Sequence, residues 1–380
     1  MSVPGSLVVL AAGGTGGHVF PAEALAAELA GRGCRLAAIT DKRGGAWQGA
    51  LGEVETHHIR AGGLAGKSFA ARLQSLPDLA IGAWQARGLL KRLRPDAVVG
   101  FGGYASVPTM LAACLGGYVT AIHEQNAVLG RANRLLASRV DRIATSFEDA
   151  EGLPAEAQAK VSHTGMPIRA AVAAVGERPY PPLAEDGPIS LLVLGGSQGA
   201  HVLSEVVPAA LGLVDEGIRG RVRVAQQCRP EDLEPTRGAY AALGIDADLE
   251  PFFDDLPERL AGAHLLIGRA GASTVAETLV AGLPAILVPY PFAIDDHQSR
   301  NAQAVDDAGA GWLMPEATFT PSALAARLDS LLGLPAILER AAACAEAAGA
   351  PDAADRLANM VCRLLDDNGA NGPDAERRAA

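Results

Sequence analysis

At 380 residues, with 49% hydrophobic residues, 4% aromatics and 44 glycines, the chain is too long for one ordinary core and too apolar to be disordered, and two domains are expected. A formal net charge of −11 excludes a general nucleic-acid binder. The five scattered cysteines (Cys34, Cys114, Cys228, Cys344, Cys362) form no Cys-x-x-Cys pair and Met1 to Gly5 carry no basic leader, so a reducing compartment is expected, without disulfide framework, zinc site or secretion signal.

In chain order, strands are predicted near Leu7–Ala12, Arg35–Thr40, Ala97–Phe101, Tyr118–His123 and Arg142–Thr145, alternating with segments of helix length. The first strand runs into Gly13-Gly14-Thr15-Gly16-Gly17-His18, a glycine turn that offers the N–H groups of a helix N-terminus to an anion. Arg60 to Arg94 is a basic island, with Arg60, Lys67, Arg72, Arg87, Lys91, Arg92 and Arg94 against the single acid Asp78. Phe69, Leu73, Leu76, Leu79, Ile81 and Trp84 are interleaved with these cations. Ala97 to Ile122 has no charge and the length of a bilayer span, but its glycines at 100, 102, 103, 116 and 117 and Pro108 punctuate it as strand, loop, helix, loop, strand. The prolines from Arg178 to Pro188 mark an extended linker without helix.

The second half repeats the order, with strands expected near Ile189–Leu194, Arg221–Ala225, Leu249–Pro251, Leu265–Ile267 and Ala285–Val288, and helices from Pro321 onwards. Its first strand delivers a second glycine turn, Gly195-Gly196-Ser197-Gln198-Gly199-Ala200-His201, and Val98–Ser106 is echoed by Leu266–Ser273. A doubled βα pattern gives an α/β fold of two doubly wound, parallel-sheet domains with ligands at the carboxyl ends of the strands. The polar tail from Asn368 to Ala380 is expected to be disordered.

The glycine turns alone leave the chemistry open. Gly14-Thr15-Gly16-Gly17-His18-Val19 lacks the last glycine of the dinucleotide fingerprint, although Asp41 follows the second strand. A nicotinamide enzyme and an enzyme joining a nucleotide diphosphate to a phosphorylated acceptor both remain. Asp246-Ala247-Asp248 reads as a polar loop without further ligands, and no metal is assigned to it.

Five segments then carry a resemblance. Gly13–Pro21, Gly102–Ser106, His123–Asn126, Gly195–Ala200 and Asp295–Ala302 resemble, in order, the signature segments of the MurG family within glycosyltransferase family 28, from about Leu7 to Met360. The resemblance implies a GT-B architecture, two Rossmann-like domains facing a central cleft, and no metal or other cofactor. It implies inverting transfer of N-acetylglucosamine from UDP-GlcNAc to the C4 hydroxyl of the MurNAc of undecaprenyl-diphospho-MurNAc-pentapeptide (lipid I), giving lipid II. The expected division is an acceptor and membrane-association domain at 1–166, a linker at 167–188, a donor domain at 189–345, a helix at 346–367 returning to the first domain, and the tail at 368–380.

Residue by residue, the resemblance gives Glu277 to the ribose hydroxyls and the segment around Phe253 to uracil. Ser197, the N–H groups of the second glycine turn and Arg169 go to the diphosphate, His297 and Gln298 to the donor sugar. Ser273, Thr274, Thr15, Gly16 and Asn126 complete the expected donor set. Thr15, Gly16, Gly17, Tyr104 and Asn126 are expected at the acceptor. His18 is the first candidate for general base, with donation to an acceptor phosphate and helix capping as its alternatives, and Glu124 is the second candidate. Three positions depart from the family pattern: Met166 for Asn, Ala270 for Ser, and Gln227-Cys228-Arg229 for Gln-Ser-Gly.

A membrane-borne acceptor implies the cytoplasmic face of the inner membrane, with anionic phospholipids meeting Lys67 to Arg94 and cell-wall and division proteins as partners. The basic island also reads as a core-facing helix with a solvated back. A UDP-GlcNAc 2-epimerase and a non-catalytic nucleotide-sugar-binding protein are the competing functions.

Overall fold

A computed structural model describes residues 4–13, 16–41, 51–61, 76–184, 186–196 and 199–371. The chain divides into two units, Met1–Arg169 with Asp352–Ala380, and Ala170–Pro351.

The first unit is built on seven parallel strands: β1 (Leu7–Ala11), β2 (Arg35–Asp41), β3 (Glu55–Ile59), β4 (Ala97–Gly100), β5 (Val119–Glu124), β6 (Arg142–Thr145) and β7 (Val161–His163), in the order β3-β2-β1-β4-β5-β6-β7. All of β1 is buried because the sheet is covered on both faces. Val8 and Leu10 pack with Leu25 and Leu29 of the helix Gly16–Gly31, and with Leu357, Val361 and Leu365 of the last helix, Ala353–Asn371. Val9 and Ala11 point the other way, into a core with Leu90, Met110 and Ile122. Arg32 ties the last helix down by donating to Asp355 Oδ1 at 2.6 Å and Asn359 Oδ1 at 2.9 Å.

The second unit repeats the plan with six parallel strands: β8 (Ile189–Leu194), β9 (Val222–Gln227), β10 (Asp246–Glu250), β11 (Leu265–Gly268), β12 (Ala285–Leu287) and β13 (Gly311–Leu313), in the order β10-β9-β8-β11-β12-β13. Leu191 and Val193 of β8 face Leu203, Val207 and Leu211 of the helix His201–Leu211 and Leu324 and Leu328 of the helix Pro321–Leu332. In both sheets the order reverses beside the first strand, between β1 and β4 and between β8 and β11, the place where open α/β sheets bind ligands.

Several expectations are corrected. β3, β7 and β13 were not expected from the sequence, and β10 covers Asp246–Glu250 rather than starting at Leu249; all four are edge strands. Asp246 and Asp248 therefore stand on a strand, not in a loop, paired with Arg223 at 3.6 Å and Arg259 at 2.7 Å. The first part of the linker holds helical turns at Ala170–Ala173 and Ala174–Glu177, which its alanines favour, while the stretch with Pro179, Pro181 and Pro182 is free of helix as expected. Its later part is anchored: Leu183 joins the core and the Tyr180 hydroxyl donates to the His264 carbonyl at 2.7 Å. Residues 346–348 end the helix Pro335–Ala348 of the second unit, since Pro351 disfavours helix in the residue before it. The last helix extends to Asn371 and takes in the first four residues of the expected tail, because a docked helix propagates at little cost. The uncharged stretch 97–122 divides into β4, the helix Gly103–Gly116 and β5, and no helix among the described residues is long and apolar enough to cross a membrane.

Candidate functional site

In the first unit the switch point is lined by the turns after β1, β4 and β5. His18 stands in the first turn of Gly16–Gly31, and its imidazole lies over two glycines: an added Cβ would meet its Cδ2 at 3.7 Å from Gly13 and at 3.2 Å from Gly103. Gly102 and Gly103, at φ of 75° and 71°, turn the chain from β4 into the helix Gly103–Gly116 in a conformation that L side chains disfavour. Tyr104, half-buried, is the next residue of that helix. Thr15, expected at both substrates, lies outside the described residues. Arg169 places its guanidinium 4.9 Å from the Phe20 ring centroid on the same helix as His18, and burial pushes the Glu23 carboxyl up while Arg169 pulls it back.

Beneath His18 the end of β5 is a buried polar layer. Glu124 is 1% exposed, and four donors meet its carboxylate: Asn126 N at 3.1 Å, Asn126 Nδ2 at 3.3 Å, Gly130 N at 2.8 Å and Asn133 Nδ2 at 2.8 Å. The carboxylate thus shapes the loop that carries Asn126. His123 is fully buried; its Nε2–H donates to the Gly165 carbonyl at 3.1 Å and its Nδ1 accepts from Gln125 Nε2 at 3.2 Å. Burial drives its pKa down to about 4 against the Gly165 bond, with the His18 charge adding to the fall, so the ring is neutral. Gln125 also donates to Phe101 O at 2.9 Å, linking β5 to the turn after β4. Gln125, His123 and Asn133 were not among the site residues expected from the sequence; His123 and Gln125 lie in the segment His123–Asn126 that carries the resemblance, the signal that could have found them, and no such signal marks Asn133.

In the second unit the turn after β8 passes through Gly196 and Gly199, at φ of 77° and 66°, with Gly199 N donating to Gly196 O at 2.9 Å. Ser197 lies outside the described residues. The turn after β11 opens the helix Ala272–Val280 at Gly271, which carries Ser273, Thr274 and, one turn on, Glu277 at 6% exposure. Ser273 Oγ is buried without a hydrogen-bond partner. Asn301, fully buried on the helix His297–Asp307, donates to Ala270 O at 3.0 Å and joins that helix to the turn.

Gln298 accepts from Tyr290 N at 2.9 Å through Oε1, which leaves its amide NH₂ to donate elsewhere, and His297 Nδ1–H donates to Ile294 O at 2.8 Å. Arg269, also not expected, donates to Val288 O and Pro289 O at 3.1 Å each and pairs with Glu316 at 2.5 Å, so it fixes the strand end that supplies Tyr290. Phe253 is buried under the Arg259 guanidinium, 3.9 Å from its ring centroid, so its loop offers backbone rather than ring.

Among the described residues no cluster of His, Cys, Asp and Glu is arranged to hold a metal ion. The geometry presents glycine turns at the switch point of each unit, a histidine over glycines in the first, and a buried carboxylate one turn into a helix in the second.

Residues 8–145 match the model of the glycosyltransferase family 28 N-terminal domain, and residues 190–357 that of the C-terminal domain. The chain is 60% identical over 365 residues to a protein of Paramagnetospirillum magneticum named UDP-N-acetylglucosamine–N-acetylmuramyl-(pentapeptide) pyrophosphoryl-undecaprenol N-acetylglucosamine transferase, covering 96% of this chain and 98% of that one. Among solved structures it is similar to Acinetobacter baumannii MurG, with a TM-score of 0.77 and 30% identity over 94% of this chain and 99% of that one. A putative UDP-N-acetylglucosamine 2-epimerase from Listeria monocytogenes has a TM-score of 0.66 at 15% identity, covering 93% of this chain and 95% of that one, and shares the fold alone.

Proposed function

The chain belongs to glycosyltransferase family 28, and we propose that it transfers N-acetylglucosamine from UDP-GlcNAc to the C4 hydroxyl of the MurNAc of lipid I, forming lipid II with inversion at the anomeric carbon. The observation that carries this reading is the 60% identity, across 96% of the chain, to a relative named for that transfer.

In such a transfer the acceptor hydroxyl bonds to the anomeric carbon as the bond from that carbon to UDP breaks. A base takes the hydroxyl proton and the developing charge falls on the diphosphate. We assign the base to His18, because imidazole is the side-chain class that exchanges protons near neutral pH and this one stands at the mouth of two glycine turns. Glu124, with its four donors, is assigned to holding Asn126 and its loop, and Tyr104, Asn126, Gly16 and Gly17 to the acceptor.

Donor binding is assigned to the second unit and to Arg169, at the end of the Met1–Arg169 segment of the first. The glycine turn 195–199 and the start of the helix Ala272–Val280 take the diphosphate, with Ser273 Oγ awaiting a partner and Thr274 beside it. Glu277 takes the ribose, the backbone around Phe253 the base, and Gln298 with His297 the sugar hydroxyls. Arg169 supplies a charge-assisted bond to the diphosphate.

Labelled UDP-GlcNAc incubated with a short-chain lipid I analogue and EDTA tests the reading: β-linked disaccharide is expected, with no turnover when the acceptor is omitted. Conversion of UDP-GlcNAc to its 2-epimer without acceptor would overturn it.

The acceptor is membrane-borne, and the helix Leu76–Leu93 supports a peripheral site on the cytoplasmic face of the inner membrane. It exposes Ile81 and Trp84, the latter at 77%, together with Arg87, Lys91 and Arg92. Lys67, Phe69, Arg72 and Leu73 of the same island lie outside the described residues. Anionic phospholipids are the partner that this mixture fits; cell-wall and division proteins are further partners that the family suggests.

A further inference from the structure

Where β9 ends, the chain turns back on the glycine turn of the second unit and holds it at two points. Arg229 lies across Gly199: a Cβ added there would stand 2.5 Å from Arg229 Cγ, so the arginine stem fills the space of a side chain at 199, and Nη2 donates to the Gly199 carbonyl at 3.4 Å. Three residues on, buried Asp232 accepts from His201 Nδ1 at 2.7 Å, and His201 is the first residue of the helix that the turn opens. Asp232 N donates to Arg229 O at 2.9 Å, closing the segment 229–232 into a single short turn. Residues 199 and 201 are thus gripped by one rigid piece, at the point where the glycine turn becomes helix.

We propose that Arg229 and Asp232 are positioning residues for donor binding, a clasp that fixes Gly199 and His201 where the glycine turn enters the helix His201–Leu211. This rests on the reading of turn 195–199 as the diphosphate site. A glycine turn free to sample other conformations loses ordering entropy when it binds, and a clasp removes that cost beforehand. The clasp also gathers positive charge. The hydrogen bond that His201 donates to Asp232 raises the His201 pKa, opposed by desolvation and by Arg229 and aided by Glu205 at 3.4 Å, so His201 carries a proton more readily beside the arginine.

The test compares UDP with uridine as inhibitors of the transfer. Arg229→Ala should raise the UDP inhibition constant about tenfold while that of uridine stays within about twofold, because only the diphosphate uses the turn. The loss should fall on the donor KM more than on kcat, Arg229→Lys should recover part of it by restoring the stem over Gly199, and Asp232→Asn should shift UDP in the same direction. Equal weakening of UDP and uridine, or no weakening of either, overturns the clasp. Gly199→Ala separates the premises: if it too leaves the UDP-to-uridine ratio unchanged, the turn is not the diphosphate site. If Gly199→Ala raises that ratio of inhibition constants and Arg229→Ala does not, the clasp fails alone.

Discussion

The imidazole of His18 rests against the backbone of Gly103: a Cβ on Gly103 would stand 3.3 Å from His18 Nε2. The turns after β1 and β4 therefore meet through one ring, and the ring is held by the absence of a side chain. Gly103→Ala should cost about 1 kcal/mol of backbone strain at its φ of 71° and also push the imidazole aside. Misplacing a reacting group costs up to about 100-fold in rate, so kcat should fall by tenfold or more with UDP inhibition unchanged. Wild-type kcat in this variant would separate His18 from the chemistry.

His18→Ala should lower kcat about 100- to 10,000-fold, far more than it weakens UDP, since a general base acts in the transition state. Steady-state kinetics at saturating acceptor decide this. A rise in acceptor KM at near-normal kcat would move His18 from base to acceptor binding.

Glu277→Ala should raise the donor KM and lower kcat/KM by roughly 2 to 4 kcal/mol, the scale of removing a buried charged partner. Acceptor KM should stay where it was. A normal donor KM would remove the ribose assignment.

His123 makes the first unit sensitive to acid. Its ring is held neutral with a pKa of about 4, whereas in the unfolded chain it titrates near the ordinary histidine value of 6.5. The unfolded state therefore binds the proton first, and stability should fall as the pH drops from about 6.5 to about 4, by roughly 3 kcal/mol, and level off below. Urea unfolding across that window should show the slope in the native chain and lose this part of it in His123→Asn. An unchanged slope would mean that another group carries the pH dependence.

Changing Arg87, Lys91 and Arg92 to Glu should abolish salt-sensitive co-sedimentation with phosphatidylglycerol or cardiolipin vesicles while a soluble acceptor analogue is still turned over. Each cation near such a surface contributes about 1 kcal/mol. Binding of the native chain to neutral vesicles as strongly as to anionic ones would leave these charges without a membrane role.

The central strands were legible in the sequence because burial on both faces writes an unbroken apolar run, as in Leu7–Ala11 and Ile189–Leu194. The edges were not. Glu55–Ile59 contains two histidines and a glutamate, Val161–His163 and Gly311–Leu313 are three residues long, and Asp246–Glu250 carries three acids. Each pairs on one side only, so solvent rather than neighbours shapes its composition. The positions of His18 and Glu277 at the starts of helices could be read off because each follows a legible strand and a glycine turn in one compact motif. The layer of His123, Gln125 and Asn133, the arginine brace at 269 and the 229–232 clasp could not, since each joins segments that meet only after folding.

The return of the last helix to the first unit has a consequence for synthesis. A nascent chain that has reached Pro351 contains all of the second unit, but its first unit still lacks Leu357, Val361 and Leu365, which pack with Val8 and Leu10. The half translated first is thus completed last, and until then it displays an apolar stripe that chaperones, proteases or a second nascent chain can reach. Premature termination between Pro351 and Leu365 would release a protein with an intact second unit and an unfinished first one.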